Sequence, residues 1–331
     1  MSSHRVGIIA AAIVAGLLGT SCTSDRAGST RAGASTTTTT SSTATSTTGT
    51  SDPRTARCTA GTGLQDGAAS IQSSDIERRY LIAAPKELDL TEPTPIIFDF
   101  HGSGSDKEEQ AGYSQLPTRG AARGYVVITP DGTNRPREWS LGGPLDPTLV
   151  TDLLAELGHR MCIDPQRIYA AGISDGSAFS AILTCTAPYR IAAAGLIGAE
   201  VPPACPEGTR RSVIAFHGTK DPVVPIGGGA VATGSGLVAP GALSAMQSWA
   251  DHNGCDGVAV TDQVTPHVLR RSWTDCADAT EVIYHEIDGG GHTWPGAIDV
   301  SGLGLADLGP VTDEISATDL MLDFFDRHHL R

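Results

Sequence analysis

Residues 167–180 constrain this chain more than any other stretch. Ile168, Tyr169, Ala170 and Ala171 are uncharged and suit a buried strand, while Ser177 to Leu183 is small and apolar enough to pack as a helix. Between them lies Gly172-Ile173-Ser174-Asp175-Gly176, a G-x-S-x-G pattern. A strand that becomes a helix in so few residues needs a tight turn, and the serine at its apex is pushed out above the sheet. The flanking glycines are expected because a Cβ at either place would collide with the neighbouring strand or helix. The helix behind Ser174 aims its amide dipoles at any negative charge forming there. Glycine makes up 39 of 331 residues, so the pattern alone recurs by chance. Its setting, and the partners that follow it in order, give it weight.

The N-terminus reads as an export route. Met1 to Arg5 carries one Arg, and Val6 to Leu18 is uncharged. That is too short to cross a bilayer and suits the apolar region of a signal peptide. Leu18-Gly-Thr-Ser-Cys22 resembles a bacterial lipobox, with Cys22 as the lipidated residue, although Gly19 stands where the pattern prefers Leu. The other reading is plain secretion with cleavage nearby. Residues 1–22 are therefore expected to be a signal peptide. Residues 23–57, with Thr36 to Thr40 consecutive, are expected to be a disordered Ser/Thr-rich tether. Residues 58–331 are long enough for a single catalytic-size core. The expected location is extracellular, anchored to the outer face of the cell membrane.

Cysteine usage agrees with an oxidising compartment. With Cys22 set aside, six remain, and fifteen pairings are possible. Cys255 with Cys276 is the first expectation, since both flank one excursion between a helix and the last strand. Cys185 with Cys205 is the second, which leaves Cys58 with Cys162. No cysteine or histidine spacing points to a metal, and no cofactor is expected. A net charge of −14 argues against a nucleic-acid partner, whose phosphates need a basic surface.

In chain order, a strand at Ile76–Ala84 and a buried strand at Pro95–Phe100 precede His101-Gly102-Ser103-Gly104-Ser105. A strand running into His-Gly and small residues is a place for a second amide that stabilises an oxyanion. The two expected donors are the backbone N–H groups of Ser103 and Asp175. A helix is expected over 111–123, a strand over 125–129, a loop over 133–147, and a helix with apolar spacing over 149–161. Further strands are expected at 191–198 and 211–216. The second of these leads into His217-Gly-Thr-Lys-Asp221-Pro. Asp221 stands where an acid can orient an imidazole. Glu200 is the rival acid and His217 is read as structural. After a helix at 242–252 and a last strand at 281–287, three glycines deliver His292 on a loop that can fold over the nucleophile. The order Ser174, Asp221, His292 completes a serine–acid–histidine triad. Trp139 and Trp294 are candidates to line an aromatic or apolar substrate pocket, with Trp139 alternatively a loop anchor. An amphipathic helix over 315–328 closes the chain.

With these residues in place the chain resembles the esterase group that includes polyhydroxybutyrate depolymerases, feruloyl esterases and the acetyl xylan esterases of carbohydrate esterase family 1. The similar segments are Phe100-His-Gly-Ser103, Cys162-Ile-Asp-Pro-Gln-Arg-Ile-Tyr169, Gly172-Ile-Ser-Asp-Gly176, His217-Gly-Thr-Lys-Asp221 with Val224-Pro225, Asn253-Gly-Cys255 and Gly290-Gly-His-Thr-Trp-Pro-Gly296. The resemblance implies an α/β-hydrolase fold, a mostly parallel sheet with helices on both faces. It also implies hydrolysis of hydroxycinnamoyl, acetyl or short hydroxyalkanoate esters through Ser174, Asp221 and His292, with oxyanion amides at Ser103 and Asp175. Two departures stand out. The group often has Asn-Gly-Gly where this chain has Asp175-Gly176-Ser177, and no polymer-binding module is expected, which favours soluble esters. The alternatives are an acyltransferase or serine peptidase using the same triad, and a non-catalytic binding module.

Overall fold

The computed structural model describes residues 61–133, 138–186, 190–232, 237–297 and 308–331. In chain order the elements are β1 (Gly67–Ser73), β2 (Ile76–Ala83), β3 (Thr94–Phe100), α1 (Lys107–Ser114), α2 (Leu116–Ala122), β4 (Val126–Pro130), α3 (Leu145–Arg160), β5 (Ile163–Ile173) and α4 (Asp175–Thr186). These are followed by β6 (Ala193–Ile197), β7 (Ser212–Gly218), β8 (Gly229–Ala230), β9 (Val238–Ala239), α5 (Ala242–His252), β10 (Val260–Thr265), β11 (Val268–Trp273), β12 (Val282–Ile287) and α6 (Ala317–Arg327). Ten strands form one sheet in the order β1-β2-β4-β3-β5-β6-β7-β12-β11-β10. The six from β4 to β12 are parallel, and two antiparallel strands flank them at each edge.

β3, β4, β6 and β7 are buried along their whole length, because helices cover both faces of a parallel sheet. Successive side chains then go to opposite layers. Ile97, Val127, Tyr169, Ile214 and Phe216 pack with Leu116, Met321, Leu322 and Phe325, so α1, α2 and α6 cover one face. Ile96, Phe98, Ile128 and Ala170 pack with Leu149, Leu153 and Phe179. Leu196, Ala215 and Tyr284 pack with Met246 and Trp249, so α3, α4 and α5 cover the other face.

Two expectations are corrected. The single helix over 111–123 is two helices broken at Gln115, which adopts φ 56°. Pro117 lacks an N–H to bond back into the preceding turn, so the helix restarts there. The loop over 133–147 is also shorter than expected, since α3 starts at Leu145. β1, β8, β9, β10 and β11 are additional strands. The structure pairs Cys185 with Cys205 and Cys255 with Cys276. Cys162 is also disulfide-bonded. Its expected partner Cys58, the lipobox Cys22 and the tether lie outside the described residues.

Candidate active site

Ser174 follows β5 directly and holds φ 56°, a left-handed conformation costly for a residue with a Cβ. Packing imposes it. A Cβ at Gly172 would lie 2.5 Å from the Gly176 backbone, and one at Gly176 would lie 2.2 Å from the Phe100 carbonyl oxygen. Strand, turn and helix can approach this closely only with glycine at both places. The Ser174 N–H donates to the Ile197 carbonyl at 2.8 Å, which ties the turn to the end of β6.

The next residue along, Gly198, connects the serine turn to the histidine. Its φ is +67°, and a Cβ there would meet His292 Nδ1 at 2.9 Å. His292 is 3% exposed, and its Nδ1–H donates to Asp221 Oδ2 at 2.6 Å. Asp221 Oδ1 accepts the Val223 and Val224 N–H groups, both at 2.8 Å. Burial alone would raise the Asp221 carboxyl, but hydrogen bonds from His217, His292 and Val224 and the His292 charge hold it well below the usual carboxylate range. Gly218 packs on the Gly290 backbone, so the acid and histidine loops share one edge of the sheet. His292 Nε2 is buried without a hydrogen-bond partner, so no Ser174–His292 bond is made. An unpartnered imidazole nitrogen on a ring that meets the serine turn at Gly198 is a group able to take a proton.

The oxyanion candidates sit on the other side of Ser174. A Cβ on Gly102 would lie 3.4 Å from the Ser174 Cβ, so the 102–105 turn lies against the serine. That turn is closed by the Ser105 N–H donating to the Gly102 carbonyl at 3.2 Å. Asp175 N–H is the first amide of α4, among the four that a helix leaves without an internal partner. The His101 ring accepts the Gly132 N–H at Nε2, 2.9 Å, and therefore donates from Nδ1 to the Gly102 carbonyl at 2.7 Å.

Both tryptophans expected to line a pocket are core residues instead. Trp139 is 3% exposed and stacks on Phe179 at 5.0 Å. Its indole N–H donates to the His101 carbonyl at 2.8 Å, and its backbone N–H donates to Asp175 Oδ2 at 2.6 Å. It thus clamps together the two turns that carry Ser103 and Asp175. Trp294 is fully buried; its indole donates to Thr318 Oγ1 at 2.9 Å and its N–H to the Tyr113 hydroxyl at 2.7 Å. It pins the His292 loop to α1 and α6. Large apolar bodies with one polar handle fill cores when that handle finds a partner.

Burial raises Asp175 to about 6, the Trp139 bond opposing this and Glu138 and Asp146 adding to it. Its side chain turns to the Trp139 loop. Glu200, the rival acid, bonds His217 Nδ1 at 2.6 Å and not His292. Among the described residues no cluster of His, Cys, Asp and Glu is arranged to hold a metal, and no helix is long and apolar enough to cross a membrane.

No family model matches the chain. It is 28% identical to feruloyl esterase B of Piromyces equi over 230 residues, 65% of this chain and 42% of that protein. It is 24% identical to probable feruloyl esterase C of Aspergillus terreus over 247 residues, 72% of this chain and 83% of that protein. A bifunctional acetylxylan esterase/xylanase of Neocallimastix patriciarum is 23% identical over 64% of this chain and 30% of its own length. The chain therefore spans less than half of the first and third of these relatives. Among solved structures, the acetyl xylan esterase from Aspergillus awamori superposes with TM-score 0.57 at 14% identity, covering 78% of this chain and 99% of that one. A thermostable esterase gives 0.51 at 17% identity, covering 80% and 63%. The chain has the α/β-hydrolase fold and is similar, across that fold, to feruloyl and acetylxylan esterases.

Proposed function

We propose that this chain is an exported serine hydrolase of carboxylic esters, held at the cell surface by lipid on Cys22 and a Ser/Thr-rich tether. The observation that carries the activity is the convergence of a strained Ser174 turn with a buried His292–Asp221 pair at 2.6 Å on neighbouring strand ends. In this reading His292 Nε2 takes the Ser174 proton as Oγ attacks the ester carbonyl, and Asp221 holds the ring and stabilises its cation. The Ser103 and Asp175 amides receive the oxyanion, each such donor being worth roughly 2.7–4 kcal/mol. The alcohol leaves with the proton from His292. Water deprotonated by the same nitrogen then releases the acid from Ser174. The relatives' names support acyl groups of the feruloyl and acetyl kind, and short hydroxyalkanoate esters complete the class.

The test incubates the full chain with p-nitrophenyl acetate, p-nitrophenyl butyrate and methyl ferulate, beside Ser174→Ala and with a serine-directed phosphonate. Expected are turnover that Ser174→Ala lowers by about 10⁴-fold or more and phosphonate labelling on Ser174. Full activity in Ser174→Ala overturns the reading. Labelling without turnover points to acyl transfer, checked with an added alcohol or sugar acceptor.

A further inference from the structure

Beside Asp221 lies a second acid–imidazole pair. His217 is the next-to-last residue of β7, and Glu200 follows β6. The His217 and Glu200 side chains are each 1% exposed, and that of Asp221 is fully buried. His217 Nδ1 is 2.6 Å from Glu200 Oε2. Its Nε2 is 2.9 Å from the Val224 carbonyl and 3.4 Å from Asp221 Oδ2. That oxygen is the one that accepts from His292 Nδ1 at 2.6 Å.

A carbonyl only accepts, and an ionised carboxylate only accepts. Both ring nitrogens of His217 therefore face acceptors. With Glu200 ionised, the ring satisfies both only as an imidazolium, since a neutral ring would set a lone pair against one of them. Burial works against that cation, yet the Glu200 charge and the bonds to Asp221, Glu200 and Val224 outweigh it, holding His217 protonated up to about 10. The other ionisable side chains around this row are engaged elsewhere or uncharged. On β12, Glu286 pairs with Arg271 at 2.8 Å and Tyr284 is a buried phenol. Beside Ser174, Asp175 is bonded to Trp139. Lys220, next to Asp221, is exposed. The buried row reads Glu200⁻, His217⁺, Asp221⁻, His292.

We propose that His217, held as a cation by Glu200, is a positioning residue that shares Asp221 Oδ2 with His292 and so divides that carboxylate's charge between two imidazoles. This rests on the triad reading above. His217⁺ keeps Asp221 ionised and in place. It also sets one positive charge beside the second that forms on His292 when that ring takes a proton, with both rings on the same carboxylate oxygen. A structural histidine that merely filled the end of β7 would have neither effect.

The test uses the full chain labelled with ¹⁵N on histidine, in the wild type, His217→Gln and Glu200→Gln, with thermal melts to confirm folding. Ring-nitrogen NMR from pH 5 to 9 follows each imidazole, and kcat/KM for p-nitrophenyl acetate is profiled over the same range. Expected is a His217 ring protonated at both nitrogens through pH 8. In both variants His292 takes up its proton at higher pH, and the acid limb of the rate profile moves up with it by about half to one pH unit. The ring signal separates His292 from Asp175, which also titrates in this range. A His217 ring neutral at pH 7 overturns the proposal, as does an unmoved His292 midpoint in folded variants. If neither variant folds, the His217 titration in the wild type decides. If the wild type hydrolyses no ester, the esterase reading fails, while the ring titrations still decide the charge on His217.

Discussion

Asp175 is one residue doing two jobs that conflict. Its backbone N–H is an oxyanion candidate, while its carboxylate, half-buried and raised to about 6, accepts the Trp139 N–H close by. Above about pH 6 that carboxylate is negative where negative charge is to develop, and below it the charge is gone. Asp175→Asn keeps an acceptor for Trp139 without the charge. It is expected to raise kcat/KM above pH 7 by about threefold to tenfold, the effect of roughly 1 kcal/mol, and to change little at pH 5. The folded-state value lies above the ordinary 3.8, so ionisation is penalised by folding. The stability linked to Asp175 is therefore fully present below about pH 4 and is lost as pH rises through 6. Thermal melts of Asp175→Asn and wild type should then diverge at pH 8 and converge at pH 4. Loss of activity at every pH would show that the Asp175 charge is needed rather than merely tolerated.

At the level of elements, the site is assembled from turns at the carboxyl ends of β3, β5, β6, β7 and β12, and a buried tryptophan couples two of them. Trp139→Phe keeps an aromatic ring against Phe179 and removes the indole N–H to the His101 carbonyl together with part of the packing on Phe100. It is expected to lower stability by about 2–3 kcal/mol and kcat by about tenfold, with KM nearly unchanged, since the loosened turn carries Ser103. Equal kcat in wild type and Trp139→Phe would remove Ser103 as a donor. The elements that escaped sequence reasoning share a cause. β10 is mostly exposed, and β11 carries Arg270 and Arg271 bonded to Asp262 and Glu286. Such edge strands are held by cross-strand ion pairs and backbone ladders, neither of which writes an apolar run. The break at Gln115 was missed because apolar spacing continues through it, while Pro117 governs the backbone.

For the whole molecule, the two described disulfides close loops of similar length, with sequence separations of 20 and 21. Cys185–Cys205 ties the end of α4 to the segment before β7, below the nucleophile turn. Cys185→Ala with Cys205→Ala is expected to cost about 2–4 kcal/mol, lowering Tm by roughly 5–10 °C without altering KM, because neither sulfur touches the site. A melt unchanged by the double substitution would show that the packing of Ala181, Leu196 and Trp249 around it already fixes this region.

Sequence alone determined the central sheet, because strands buried on both faces must be apolar throughout. It also offered Ser174, Asp221 and His292, in that order, as the candidate triad, because each stands at a strand end where glycine lets a loop turn over the sheet. What only the tertiary structure decided were the neighbours. Periodicity says which way a side chain points and not what it meets. Glu200 turns to His217 and not to His292, and Trp139 and Trp294 fill the core and not a pocket. Those outcomes depend on how the fold brings together residues 17 to 181 positions apart. A buried acid or indole must take whichever partner lies within hydrogen-bond reach.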